Sequence, residues 1–124
     1  MLLCFAVDKC AVSPTGDRLY ITSHWYNKLL TLARDGTLLA TFTDPALRVP
    51  RGLHVTPAGQ VLLVCGAWSD TVLQVGWEGQ SKLATLATQE DGVRSPGSVC
   101  YSSKTSSIIV GQFRSNNILV FRVE

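Results

Sequence analysis

The sequence predicts an all-β protein, a β-propeller fragment of four-stranded antiparallel blades, about two and two-thirds of them. Three observations carry that prediction. A stretch recurs every 43 to 46 residues or so, short aliphatic and β-branched runs lie between turn-forming residues, and several of those runs are apolar without alternation. Composition agrees, since 46% hydrophobic against 16% charged residues in a chain of 124 is the balance of an ordered core rather than of a disordered segment.

The repeat is read directly. Residues 10–25, C-A-V-S-P-T-G-D-R-L-Y-I-T-S-H-W, match residues 53–68, L-H-V-T-P-A-G-Q-V-L-L-V-C-G-A-W, at an offset of 43. Ser13-Pro14 falls on Thr56-Pro57, Gly16 on Gly59 and Trp25 on Trp68. A third copy is read at an offset of 45, which sets Gly111 under Gly66 and Phe113 under Trp68. The blades then span about 10–42, 53–86 and 97–123, with residues 1–9 as the edge strand of a preceding blade.

Each blade divides in the same way. Strand a is Cys10–Ser13, Leu53–Thr56 and Ser98–Tyr101, and the turns Pro14–Asp17, Pro57–Gln60 and Ser102–Ser106 follow it. Strand b is Leu19–Thr22, Val61–Cys65 and Ser107–Val110; after polar turns at Asn27, Ser69-Asp70 and Ser115-Asn116, strand c is Leu29–Ala33, Thr71–Val75 and Ile118–Val123. Arg34-Asp35-Gly36 and Glu78-Gly79 turn the chain into strand d, Leu38–Phe42 and Lys82–Leu86; the third unit ends at strand c. A run such as Val61-Leu62-Leu63-Val64-Cys65 needs cover on both sides of its sheet. Sheets stacked face to face around an axis supply that cover, and a two-layer sandwich with a wet outer face does not. The two end faces of the stack have no neighbour, so the isolated chain is expected to self-associate.

A net charge of +2 and a pI near 8.4 are too mild to demand a polyanion or a membrane surface as partner. The apolar opening Met1–Val7 lacks the basic start and small-residue cleavage site of a secretory leader and is too short to span a bilayer, so a cytoplasmic setting is expected. Cys10, Cys65 and Cys100 each fall inside an apolar strand, which reads as buried, reduced thiols rather than a disulfide framework.

The string P-R-G-L-H-V-T-P-A-G-Q-V-L-L-V-C-G-A-W-S-D-T-V-L-Q-V at 50–75 resembles an NHL repeat: Pro, Gly, an apolar run, a turn ending in Gly, a second apolar run, a polar turn, then an apolar strand. Residues 10–42 and 97–123 fit the same pattern, and the terminal S-S-I-I-V-G-Q-F-R-S-N-N-I-L-V-F is similar to the C-terminal propeller of tripartite-motif (TRIM-NHL) proteins. The first unit departs from it, with Ser23-His24-Trp25 where the family carries an aspartate. The resemblance implies a module that recognises a protein or a single-stranded RNA. In that family ubiquitin-ligase activity comes from a RING finger, whose paired-Cys zinc spacing this segment does not contain.

In an a-b-c-d blade the b–c turns and the d–a connections emerge on one side of the ring. That side collects Trp25, Trp68, Phe113 and Arg114 from the turns and Arg48, Arg51 and Arg94 from the connections, and these are the candidate binding residues. Aromatic residues at a common register also serve as packing between blades, so the same tryptophans have a plain structural reading. Catalysis finds less support. A metal site of the six-bladed hydrolase or lyase type needs ligands converging from successive inner strands, and the register Ala11, His54, Val99 offers one. No G-x-S-x-G elbow or G-x-x-x-x-G-K loop occurs, and no cofactor is expected.

Overall fold

The computed structural model describes residues 9–23, 26–56 and 61–122. Among these residues eleven strands form three antiparallel sheets. β1 (Lys9–Val12), β2 (Arg18–Ser23), β3 (Lys28–Ala33) and β4 (Leu38–Phe42) pair in chain order, as do β5 (Pro50–Val55), β6 (Val61–Gly66), β7 (Thr71–Gly76) and β8 (Lys82–Ala87). β9 (Pro96–Ser102), β10 (Ser107–Gln112) and β11 (Ile118–Arg122) make a three-stranded sheet. These are two whole blades and most of a third, and the a–b turn Pro57–Gln60 lies outside the described residues.

Period two sorts the side chains. Along β6, Leu62 and Val64 point to the first sheet, where they meet Tyr20, Leu29, Phe42 and Leu47. Leu63 and Cys65 point the other way, to Val99, Ile108 and Val110 of the third sheet. Leu62, Val64 and Cys65 are wholly out of solvent, which is why this strand shows no alternation in sequence. On the outer side of the first sheet Ile21, Leu30 and Leu32 form a third cluster.

The stacked sheets also touch through polar groups and bare backbone. Tyr20 on β2 donates its hydroxyl to the Trp77 carbonyl (2.9 Å), and Thr22 Oγ1 donates to the Arg51 carbonyl (3.2 Å). Gly52 on β5 lies against β9 so closely that a Cβ there would sit 2.8 Å from the Ser98 Cα, so glycine sets that spacing.

The structure corrects the sequence reading in two places. The third blade lies at an offset of 46, not 45: Pro96 pairs with Gln112 as Pro50 pairs with Gly66, and Val99 pairs with Val110 as Leu53 pairs with Val64. Three single residues cause the slip, one in the β7–β8 turn (Leu38 to Lys82 is 44), one in a β8 bulge (Phe42 to Ala87 is 45) and one before β9 (Pro50 to Pro96 is 46). A one-residue shift reverses every facing, so the inner-strand partner of His54 is Cys100 rather than Val99. The second correction concerns Cys10 and Cys100, which are exposed. Both sit on sheet faces that no described blade covers, whereas Cys65 in the middle sheet is buried and its thiol pKa is pushed up to about 12 by that burial. All three thiols are unbridged.

Candidate functional site

One repeated device welds the first two b–c turns to the connections that enter the next blades. Asn27, closing the β2–β3 turn, accepts the Val49 N–H on its Oδ1 (2.8 Å), and Asp70, closing the β6–β7 turn, accepts the Ser95 N–H on its Oδ1 (2.8 Å). Both acceptors hold left-handed backbone (φ 52 and 53), which short polar side chains tolerate, and so do both donors (φ 51 and 44). Backbone bonds reinforce the weld: Ala67 N to Val49 O (3.0 Å), Trp68 N to Arg48 O (3.1 Å) and Phe113 N to Ser95 O (2.8 Å). Arg94 N donates to Gln112 Oε1 (2.7 Å) and Arg48 N to Ser69 Oγ (3.2 Å). The turns and connections therefore share one side of the stack.

On that side Trp68 is 81% exposed and Phe113 56%, although neither packs into a core. Arg51, at the start of β5, reaches across the blade boundary to place its guanidinium 5.6 Å from the centre of the Phe113 ring, and Arg114 places its own at 5.5 Å. The structure thus brings Arg51, Phe113 and Arg114 together. Arg48 is exposed beside the Trp68 backbone, and Arg94 is exposed with its Nη1 donating to the Gln89 and Val93 carbonyls (3.1 and 3.0 Å). Trp25 lies outside the described residues. In the corrected register the counterpart of Trp68 is Arg114, and Phe113 stands at the place of Ala67, so the two aromatics share a side without being repeat equivalents.

Two features escaped the sequence reading. A cleft of about 350 Å³ opens beside Arg48, lined also by Tyr26, Asn27, Thr43, Asp44 and Pro45. Asp44 there accepts the Ala46 N–H (2.9 Å), which together with Lys82 at 3.3 Å holds its carboxyl below the usual carboxylate range. A second cleft of about 200 Å³ lies on the opposite side of the stack, where the Arg18 guanidinium stands 4.5 Å from the centre of the Trp77 ring. Trp77 falls opposite Arg34 in the first unit, so repeat matching passed over it; an aromatic following Gly76 in a turn was the available signal.

His54 is half-buried on β5, its Nε2 is out of solvent with no hydrogen-bond partner, and burial lowers its pKa. Among the described residues no three His, Cys, Asp or Glu side chains converge where they could hold a metal ion. No helix among them is long and apolar enough to cross a membrane, which leaves crossing by β-strands untouched.

No family model matches the chain, and no curated protein matches it. Among solved structures it is similar to the Kuenenia stuttgartiensis hydrazine synthase, with a TM-score of 0.79 at 22% identity over 94% of this chain and 32% of that one. At that identity the likeness is one of fold. The chain is an all-β propeller segment and spans about a third of the length of the structure it resembles.

Proposed function

We propose that this segment is a macromolecular recognition module, an NHL-type propeller surface that binds a protein partner through the side bearing the b–c turns. On this reading it selects substrates for a cytoplasmic, tripartite-motif-like ubiquitin ligase whose RING chemistry resides in another segment. The observation that supports it is exposed Trp68 and Phe113 on the side that also bears Arg48, Arg51, Arg94 and Arg114, with the Arg51 and Arg114 guanidinium groups over the Phe113 ring. An aromatic ring left in water is an anchor that loses its hydration only on binding, and the arginines around it select an acidic rim on the partner.

Panning a displayed peptide library against the chain tests this. Binders enriched in acidic residues are expected, and each should weaken at least tenfold on Trp68→Ala and on Arg114→Glu. The exposed Arg34 and Lys104, which belong to turns on the other side, serve as controls whose reversal should leave binding intact. Binders indifferent to Trp68 and Arg114 would overturn the assignment. Oligouridylate anisotropy distinguishes RNA: affinity that falls steeply with salt would identify a nucleic-acid partner instead.

A further inference from the structure

Arg51 and Arg114 come from different blades and meet at one ring. Arg51 leaves β5 inside the bulge between Pro50 and Leu53, and its backbone is pinned on both sides: its carbonyl accepts the Thr22 hydroxyl of the first blade (3.2 Å), and its neighbour Gly52 lies against Ser98 of the third. Arg114 is presented by the β10–β11 turn, where it takes left-handed backbone (φ 58) beside the Phe113 N–H, which donates to the Ser95 carbonyl (2.8 Å). Backbone bonds thus hold both residues in place, and Phe113 gathers their guanidinium groups at 5.6 and 5.5 Å from one ring centre.

Packing between blades does not demand this group, because at the preceding boundary the same turn places hold Ala67 and Trp68. The place is also open within a stack: Trp68 belongs to a blade covered on both faces and is still 81% exposed, so its counterpart Arg114 faces solvent there too. Two like charges over one ring repel, and an anion between them removes the repulsion. On this side the carboxylates of Asp44, Asp70 and Asp91 are built into turns, accepting the backbone N–H groups of Ala46, Ser95 and Thr88.

We propose that Arg51, Phe113 and Arg114 form a clamp for a phosphorylated side chain of the protein partner, an inference that rests on this side being the binding side and names the chemistry it selects. A phosphate monoester carries about −1.5 to −2 charge at pH 7 and three terminal oxygens, enough to balance two guanidinium groups and to serve both forks. A carboxylate brings a single charge and two oxygens, which one fork fills, and the phosphodiester of a nucleic acid brings no more. The Phe113 ring beside the clamp packs against the residue next to the phosphorylated one.

Selecting binders to the full chain from a degenerate phosphoserine peptide library, then measuring each with phosphoserine, serine and glutamate at the same position, tests the clamp. The phosphoserine form should bind at least tenfold tighter than the glutamate form, and inorganic phosphate should compete. Arg51→Lys and Arg114→Lys keep the charge and lose the fork, and each should cut that preference at least tenfold, whereas Trp68→Ala should weaken both forms alike. In the unaltered chain, where no variant has to fold, the selected phosphopeptide should shield Arg51 and Arg114, and not Arg34, from phenylglyoxal in peptide maps. Glutamate peptides as tight as phosphoserine ones and still dependent on Trp68 would overturn the clamp and leave the binding side standing; the absence of any Trp68-dependent binder would overturn both. Oligouridylate that displaces the phosphopeptide and shields the same two arginines would overturn the clamp as well, assigning it to a nucleic acid.

Discussion

Thr31 is fully buried on β3, its Oγ1 has no hydrogen-bond partner, and Gly79 of the next blade lies against it with left-handed backbone (φ 77). A Cβ on Gly79 would collide with that hydroxyl, so two penalties meet at one contact. Thr31→Val keeps the shape and removes the unsatisfied oxygen, and should stabilise the fold by about 1 kcal/mol in urea titration. Gly79→Ala should cost about 2 kcal/mol through both the collision and the left-handed φ. His54 gives a pH dependence of definite sign. Burial lowers its pKa below the usual 6.5, so the unfolded chain binds the proton more readily, and stability is full above 6.5 and is lost as pH falls through the folded value. Urea midpoints should drop between pH 7 and pH 5, and His54→Gln should flatten that drop; the carboxylates of Asp17, Asp35 and Asp44 titrate lower still, from below 3.8, and leave the window clear.

Strands and turns were legible because their chemistry is local: Gly16 and Gly36 take positive φ in the turns that their neighbours announce, and the apolar runs between them are the strands. Strand a was read too short at its start, since β5 and β9 begin at Pro50 and Pro96, before the bulge that separates Pro50 from Leu53 in the ladder. The sides of the turns were legible as well, because blade connectivity alone dictates them. The Asn27 and Asp70 welds were not, since each joins residues 22 and 25 positions apart and neither side chain differs in sequence from an ordinary turn residue. Asn27→Ala and Asp70→Ala should each cost about 1 to 2 kcal/mol, with the loss at Asp70 the larger because its acceptor is charged. Hydrogen exchange should then show Val49 and Ser95 amides losing protection ahead of β6.

Across the whole chain stability is graded from the middle outward. The β5–β8 sheet is clad on both faces, so Leu62→Ala or Leu73→Ala should cost about 2 to 5 kcal/mol, while Val120→Ala on the bare face should cost under 1. Facing was the one large-scale property the sequence reading lost, for the third blade only, and the cause was arithmetic: three lone residues each too small an interruption to notice. Those residues also mark where the gene can change length. An extra codon in 77–81, at the Leu86 bulge or in 88–95 slides a turn or deepens a bulge and leaves all paired faces as they were. An extra codon in 61–66 would turn Leu62 and Val64 toward the wrong neighbour and empty two cores at once. A single-codon insertion and deletion scan should therefore find survivors clustered after β7 and none within β6, the genetic shadow of a period of two.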